Sequence, residues 1–181
     1  MPKRWQIRPH DTAAVAAIEQ RAGVSSIVAA LLASRGIAEP AAVKTFLTGT
    51  LADLRDPETL PGVPEAADRI LTAARAGRKI VIYGDYDADG MTATAILTGC
   101  LEAVNAEPRW YVPNRFEEGY GLNSEALERL AADGVDLVVT VDCGIASVAE
   151  AARARELGLE LIVTDHHSFA DELPAADVLV H

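Results

Sequence analysis

Three aspartates stand at alternating positions directly behind an apolar segment. Residues 84–90 read "GDYDADG", with Asp85, Asp87 and Asp89, and they follow "KIVIY". Carboxylates this close together raise one another's pKa unless a cation gathers them or water solvates them. The spacing therefore predicts either a metal site or a strongly hydrated turn.

Two later apolar segments end on residues of the same kind. Asp142 follows "DLVVTV", and "LELIVT" is followed by Asp165, His166 and His167. An aspartate at the end of a strand often caps a helix or orders a turn, and a lone histidine is more often an ordinary core or surface residue. Three segments that end in this way together favour a shared site that binds metal through carboxylate and imidazole groups.

The elements that must position these residues alternate regularly from Lys79 onward. Five apolar segments predict strands, namely "KIVIY", "RWYV", "DLVVTV", "LELIVT" and "DVLV", and between them "MTATAILTGCLEAV", "SEALERLAAD" and "SVAEAARARELG" predict helices. Such alternation, with continuously apolar strands, is typical of an α/β fold, a parallel sheet with helices on both faces. Ligands bind such sheets at the carboxyl ends of the strands, which is where the acidic residues and histidines stand.

The first part of the chain has a different pattern, that of short helices. "SSIVAALLASRGI" offers Ser25 or Ser26 as the N-cap and Gly36 as the stop signal, and "PEAADRILTAARAG" begins with proline and ends with glycine. The proline-containing segment "LADLRDPETLPGVP" between them predicts a loop. We therefore predict a helical N-terminal extension at residues 1–78 and an α/β domain at residues 79–181.

The composition and the charge distribution exclude some classes of protein. The chain has 181 residues, half of them hydrophobic, which is enough for a substantial core. Its net charge of −11 is uneven, because residues 1–79 carry 11 basic and 8 acidic side chains and residues 80–181 carry 5 and 19. A strongly acidic half argues against a simple basic DNA-coating protein, and it suits a site whose field is inverted by bound cations.

The compartment is predicted from the N-terminus and the cysteines. The start "PKRWQIRPHD" is polar and the apolar run "IVAALLA" is short, so we expect neither a signal peptide nor membrane insertion. Cys100 and Cys143 fall in apolar segments that predict a buried helix and a buried strand, without a paired framework. These features indicate a reducing, cytoplasmic location.

Two other classes of site share part of the aspartate motif. A calcium loop of the EF-hand type matches its first six positions, but the twelfth residue, Ile96, stands where a bidentate Glu is required, and a strand instead of a helix precedes the motif. An aspartyl-nucleophile phosphatase would use Asp87 and Asp89, but it expects Thr or Val where Met91 stands and gives "DHH" no role. The phosphatase remains a minor alternative.

Four motifs in order resemble those of a known family. "YGDYDADGMTATAIL", "PNRFEEGYGLN", "VTVDCGIAS" and "VTDHH" look like the successive motifs of DHH-family phosphoesterases, specifically the RecJ-type single-strand-specific DNA exonucleases. The resemblance runs over nearly the whole chain, since "WQIRP", "LLASRGI" and "AVKTFL" are also similar to the beginning of that subfamily.

The resemblance implies a centre with two Mn²⁺ or Mg²⁺ ions and a role for each motif residue. It implies metal ligands at Asp87 and Asp89 for the first and second ion, at Asp142 as the bridging carboxylate, at His166 for the second ion and at Asp85 as a further ligand of the first. It implies that His167 contacts the scissile phosphate. Asp165 would orient an imidazole, as metal-bound histidines usually require.

Arg115 lies in the segment "PNRFEEGYGLN", most of which is otherwise typical of a glycine-rich turn. An arginine beside an acidic site suits a two-pronged grip on a phosphate, such as that of a DNA end. Simple solvation at the surface is the alternative.

The resemblance implies hydrolysis of single-stranded DNA from the five-prime end in DNA repair and recombination, with single-strand-binding protein and a helicase as further partners. The alternatives are a related enzyme for short oligonucleotides, cyclic dinucleotides or pyrophosphate, and a non-catalytic scaffold. Members of the family continue with another acidic ligand, a second domain and an OB-fold. We therefore interpret the chain as an N-terminal portion with little nuclease activity alone.

Overall fold

The computed structural model describes residues 11–169 and 171–181. Contacts divide the chain into two compact units, Met1–Arg55 and Asp56–His181. The segment "WQIRP", which contributed to the family resemblance, lies outside the described residues. The predicted boundary between residues 78 and 79 is a different division and stays a prediction.

The first unit is helical. It contains α1 (Thr12–Ala22), α2 (Ser26–Ser34), α3 (Pro40–Thr48) and a short 3₁₀ turn, Leu51–Asp53. Ser25 caps α2 by accepting a hydrogen bond from the Val28 N–H, which identifies the N-cap among the two predicted serines. Ile18, Ala29, Leu32 and Val43 are buried together and form the core of this unit.

The second unit is a parallel α/β sheet. After a 3₁₀ turn at Pro57–Thr59 it contains α4 (Val63–Arg75), β1 (Ile80–Tyr83), α5 (Ala88–Ala103), β2 (Arg109–Tyr111), α6 (Ser124–Ala132), β3 (Leu137–Val141), α7 (Val148–Glu156), β4 (Glu160–Thr164) and β5 (Val178–Val180). All neighbouring strands pair in parallel, in the order β2-β1-β3-β4-β5. The predicted fold class and all five predicted strands are confirmed.

The sheet is covered on both faces, which explains why its strands are continuously apolar. Val81, Val138 and Leu161 pack with α6 and α7 on one face. Ile82 and Val139 pack with α4 and α5 on the other. Alternate side chains of each strand therefore enter different cores, and neither face of the strand can be polar.

The register of the sheet aligns the ends of the three strands that carry the motifs. Tyr83 of β1 lies opposite Thr140 of β3, and Val141 of β3 lies opposite Thr164 of β4. The residues that follow these strands consequently emerge at one edge of the sheet.

Two expectations about the environment of the chain have different outcomes. Among the described residues, none of the helices is both long and apolar enough to cross a membrane. Cys143 is buried, as predicted, but it follows β3 instead of lying within it, and the prediction of a buried Cys100 is wrong. Cys100 is exposed because it lies on a face of α5 that does not pack against the sheet.

The double-sided core makes a quantitative prediction for stability. Ile162 of β4 is fully buried, so Ile162→Ala should lower the free energy of unfolding by about 2–5 kcal/mol through lost burial and a residual cavity. Ile96 on α5 is 66% exposed, and the same substitution there should change stability by less than about 0.5 kcal/mol. Urea denaturation measures both, and equal losses at the two positions would contradict the packing described.

Candidate metal centre

The segment after β1 turns sharply into α5 and buries its first aspartate. Asp85 is only 2% exposed. Asp87 is the N-cap of α5, and its Oδ1 accepts hydrogen bonds from the N–H groups of Asp89 (2.9 Å) and Gly90 (3.1 Å). A Cβ atom on Gly90 would lie 2.6 Å from the backbone N and O of Asp85, so only glycine lets the helix begin this close to the buried carboxylate.

The residue after β3 has an uncommon backbone conformation. Asp142 has a φ of +65°, in the left-handed region, and its N–H donates to the Thr164 carbonyl at 3.0 Å. The Thr140 hydroxyl donates to the Cys143 carbonyl at 2.7 Å and stabilises the same turn. A non-glycine residue in this region costs about 1–3 kcal/mol and is typical of functional sites. The turn directs the buried carboxylate of Asp142 toward the other motifs.

Asp165, which follows β4, holds two loops together. Its Oδ2 accepts from the Ile145 N–H at 3.0 Å, and its Oδ1 accepts from the N–H groups of His166 (2.7 Å) and His167 (3.1 Å). The same Oδ1 lies 2.8 Å from Nδ1 of His167. Burial opposes the charge on Asp165, but these hydrogen bonds outweigh it and lower the pKa of the carboxyl group.

The three loops bring most of the predicted ligands together. Asp85, Asp87 and Asp142 each offer an oxygen within 4.8 Å of the others, and Asp142 forms a second such group with His166 and His167. Asp142 belongs to both groups. Nδ1 of His166 lies 3.3 Å from Oδ1 of Asp142, and Nδ1 of His167 lies 3.9 Å from the same atom.

Asp89 is placed differently from the other predicted ligands. It lies in the first turn of α5 and belongs to neither group of three. It does border a cavity of about 650 Å³ whose wall also includes Asp142 and His166. Asp89 therefore shares the edge of the sheet with the groups.

The side chains of the two histidines lie close together. Side chains of adjacent residues after a strand can point to opposite sides, but those of His166 and His167 do not. Their rings instead stack, with centroids 4.6 Å apart and planes inclined by 19°. The hydrogen bonds to Asp165 bend the chain at this point, so the rings lie side by side. They still border different cavities, because His167 lines a second one, of about 590 Å³, with Tyr120 and Ser147.

The buried carboxylates fit a cation. Asp85 Oδ1 and both carboxylate oxygens of Asp142 are buried without a hydrogen-bond donor among the residues that the structure describes. Burial raises the pKa of Asp85 and of Asp142, and the charge of Asp87 adds to the rise at Asp142. The Gly90 N–H, in contrast, holds the pKa of Asp87 below its usual value. Unsatisfied buried oxygens are rare in proteins, and carboxylate oxygens with an imidazole suit Mg²⁺ or Mn²⁺.

Arg115 reaches the same edge of the sheet through aromatic neighbours. Its guanidinium carbon lies 5.1 Å from the ring centroid of Tyr86. Its positive charge partly offsets the rise that burial causes in the pKa of Asp85. Tyr86 in turn meets Tyr120 edge-on at 6.4 Å, and the Tyr120 hydroxyl lies 3.2 Å from Nδ1 of His167. Neither tyrosine was predicted from the sequence as a site residue. The only signal was their position inside "GDYDADG" and "EEGYGLN".

The fold and the site define an α/β protein whose parallel sheet carries buried carboxylates and two more exposed histidines at its carboxyl edge, which together form a candidate metal centre. Residues 79–181 match the family described as "DHH family, N-terminal domain", and the chain belongs to this family. The match disfavours the calcium loop and the aspartyl-nucleophile phosphatase.

Individual relatives agree with the family match. The chain is 43% identical over 178 residues to the single-stranded-DNA-specific exonuclease RecJ of Bacillus subtilis (strain 168), which covers 98% of the chain and 23% of the relative. A crystal structure of exonuclease RecJ bound to manganese matches with a TM-score of 0.63 and 44% identity over 67% of this chain and 31% of that one. RecJ from Thermus thermophilus in complex with Mn²⁺ matches with a TM-score of 0.67 and 34% identity over 94% and 23%. The chain thus spans about a quarter of the length of these relatives.

The two carboxylate oxygens of Asp142 that lack a donor among the described residues predict how a bound metal changes the thermal stability of the protein. Asp142→Asn removes a buried charge and keeps a residue type that tolerates the left-handed backbone, so the metal-free variant should gain about 1 kcal/mol, which raises Tm by about 2–4 °C. Mn²⁺ at about 100 times its Kd should stabilise the original protein by about 2.7 kcal/mol and the variant much less. Thermal denaturation with EDTA and with Mn²⁺ measures both effects.

The exposed Asp68 on α4 provides the matched control. Asp68→Asn should leave Tm and its response to Mn²⁺ unchanged. An equal response to Mn²⁺ in the Asp142 and Asp68 variants would show that Asp142 does not hold the ion.

Proposed function

We propose that the chain forms the first part of the catalytic domain of a divalent-metal-dependent nuclease that hydrolyses phosphodiester bonds in single-stranded DNA from its five-prime end. The observation that carries this proposal is the pair of carboxylate groupings joined at Asp142, at the carboxyl edge of a DHH-family sheet. Other parts of the sheet do not provide so many buried acceptors without donors among the described residues.

The metal ligands in this proposal are Asp85, Asp87, Asp89, Asp142 and His166. When bound, two Mn²⁺ or Mg²⁺ ions would supply an activated water nucleophile and neutralise charge on the phosphate. Asp142 belongs to both groups and would be the shared ligand. Asp89 would complete the set from the first turn of α5, beside the 650 Å³ cavity.

His167 would contact the scissile phosphate. Its Nδ1 is held by Asp165 at 2.8 Å, which raises the pKa of His167 and leaves Nε2 for the substrate. Asp165 thus fixes the orientation of the ring, and its own backbone hydrogen bonds keep it charged for this task. An imidazolium at this position would donate a hydrogen bond to a phosphate oxygen.

Arg115 would bind a phosphate at the DNA end. Among the described residues it forms no salt bridge within 4.0 Å, although five other arginines of the chain do. Its guanidinium is exposed above Tyr86 and is therefore available to an anion.

The substrate and the biological setting rest on the relatives. The RecJ relative is named as specific for single-stranded DNA, which supports the same substrate here, and the five-prime direction and a role in DNA repair and recombination follow the resemblance in the motifs. Single-strand-binding protein and a helicase are the further partners we propose, and the cytoplasm is the proposed location.

Removal of the shared carboxylate tests the function directly. Asp142→Ala in the full-length gene product should lower Mn²⁺-dependent release of nucleotides from five-prime-labelled single-stranded DNA by at least about a thousandfold, because both ions lose a ligand. Circular dichroism should show a retained fold.

The same assay separates the alternatives. Faster hydrolysis of dinucleotides or cyclic dinucleotides than of long single strands would favour an oligonucleotide phosphoesterase, and no hydrolysis of any of them by the original protein would favour a scaffold. Full activity of the Asp142 variant would rule out the metal centre proposed.

The histidine pair tests the division of roles. His166→Ala should weaken Mn²⁺ binding by about 10–100-fold, since it removes an imidazole beside Asp142. His167→Ala should keep most of the Mn²⁺ affinity and lower kcat by about 10²–10⁴-fold. Isothermal titration with Mn²⁺ and single-turnover kinetics measure the two effects, and a reversed pattern would exchange the two assignments.

A further inference from the structure

The loop between β2 and α6, residues 112–123, carries two groups to the candidate centre. Arg115 lies over Tyr86, and the Tyr120 hydroxyl lies 3.2 Å from Nδ1 of His167. Both side chains are exposed, so their own contacts do little to fix them. The backbone of the loop must therefore be held from elsewhere.

Glu118 is the residue of this loop with the most polar contacts. Its carboxylate is 19% exposed and binds three donors from three parts of the fold. Oε1 accepts a hydrogen bond from the Tyr111 hydroxyl. It accepts a second one from Nη2 of Arg129, at 2.5 Å. Oε2 accepts from the Asn114 N–H at 2.8 Å. The carboxylate thereby joins β2, α6 and the start of the loop.

Contacts of the backbone tighten the same loop. The N–H groups of Glu117 and Glu118 donate to the Asn114 carbonyl at 3.2 and 2.8 Å. The Asn123 side-chain amide donates to the Glu118 carbonyl at 3.4 Å, and Asn123 also caps α6. Glu118 is therefore connected to both ends of the segment that contains Arg115 and Tyr120.

Arg129 balances the negative charge of Glu118. Its carboxylate pairs with Arg129, which also donates to the Tyr111 hydroxyl at 2.7 Å. The hydrogen bond from Tyr111 is the main reason that the pKa of Glu118 is lowered, and the carboxylate is charged at neutral pH. Because Arg129 pairs with this charge, the Glu118 carboxylate does not compete with an anionic ligand for the Arg115 guanidinium.

We propose that Glu118 is a positioning residue that holds the 112–123 loop so that Arg115 faces the terminal phosphate of the DNA. This inference rests on the proposed function for the identity of the ligand, but the positioning of the loop does not depend on it. Glu117 is the matched control, since it is adjacent, of the same type and exposed, and its side chain makes no hydrogen bond to the other described residues.

Steady-state kinetics of the full-length gene product test the effect on the substrate. With five-prime-phosphorylated single-stranded DNA, Glu118→Ala should raise KM about tenfold and lower kcat by a smaller factor, because loss of the Arg115 contact weakens substrate binding more than it affects the chemical step. With five-prime-hydroxyl DNA the KM of the original protein should already be high, and the variant should change it little. Glu117→Ala should match the original protein on both substrates.

A double variant tests whether the effect passes through Arg115. Arg115→Ala should reproduce the rise in KM, and Arg115→Ala combined with Glu118→Ala should be no worse than Arg115→Ala alone. Glu118→Gln should recover part of the loss, because its amide oxygen still accepts from Tyr111 and Arg129. Additive losses, or an equal loss on both kinds of DNA end, would overturn the proposal.

Limited proteolysis tests the positioning without any substrate. Trypsin cleaves after arginine, and the bond between Arg115 and Phe116 lies in the loop. Release of the loop in Glu118→Ala should speed cleavage at this bond by about tenfold, while Glu117→Ala and the original protein should be cleaved at the same rate.

The two experiments keep the proposals separate. Absence of hydrolysis by the original protein would contradict the proposed function, and the trypsin result would still decide whether Glu118 holds the loop. Unchanged cleavage after Arg115 in Glu118→Ala would overturn the positioning role whatever the nuclease assay shows.

Discussion

The burial of two crowded carboxylates is the constraint on which the rest of the structure depends. Asp85 and Asp142 are 2% and 7% exposed, with Asp87 beside them, and three of their oxygens have no donor among the described residues. Burial and mutual repulsion both oppose ionisation, which is why the pKa of each buried aspartate is raised. A bound cation would offset both the burial of these carboxylates and their repulsion. The fold therefore holds uncompensated negative charge at this edge of the sheet.

Several local features position the carboxylates and histidines at this edge of the sheet. Gly90 lets α5 start against Asp85, and the N–H groups at the beginning of this helix stabilise Asp87 as a carboxylate. The backbone of Asp142 has a left-handed conformation, which most non-glycine residues avoid. Asp165 ties the loop after β4 to the loop after β3 and orients His167. The core on both faces of the sheet keeps the three strand ends in register, so that these small adjustments add up to one site.

The sequence predicts the location of the site better than its internal geometry. A parallel sheet sends the residues after β1, β3 and β4 to one edge whatever their loops do, so the convergence of Asp85, Asp142 and His166 followed from topology. The conformation of Asp142 and the stacking of the histidines depend on single hydrogen bonds within turns, for which the sequence carries no periodic signal. The contact between Tyr120 and His167 joins residues 47 positions apart and was missed for the same reason.

The positions of bound Mn²⁺ provide the most direct test of this account. Crystals of the chain soaked in Mn²⁺ and measured at the manganese absorption edge should show anomalous peaks within about 2.6 Å of the carboxylate oxygens of Asp142, with Asp85 or Asp87 on one side and His166 on the other. Crystals of the Asp142→Asn variant should lose these peaks. Anomalous peaks only at surface carboxylates, with Asp85 and Asp142 still without a cation, would contradict the claim that this edge of the sheet is built to hold metal.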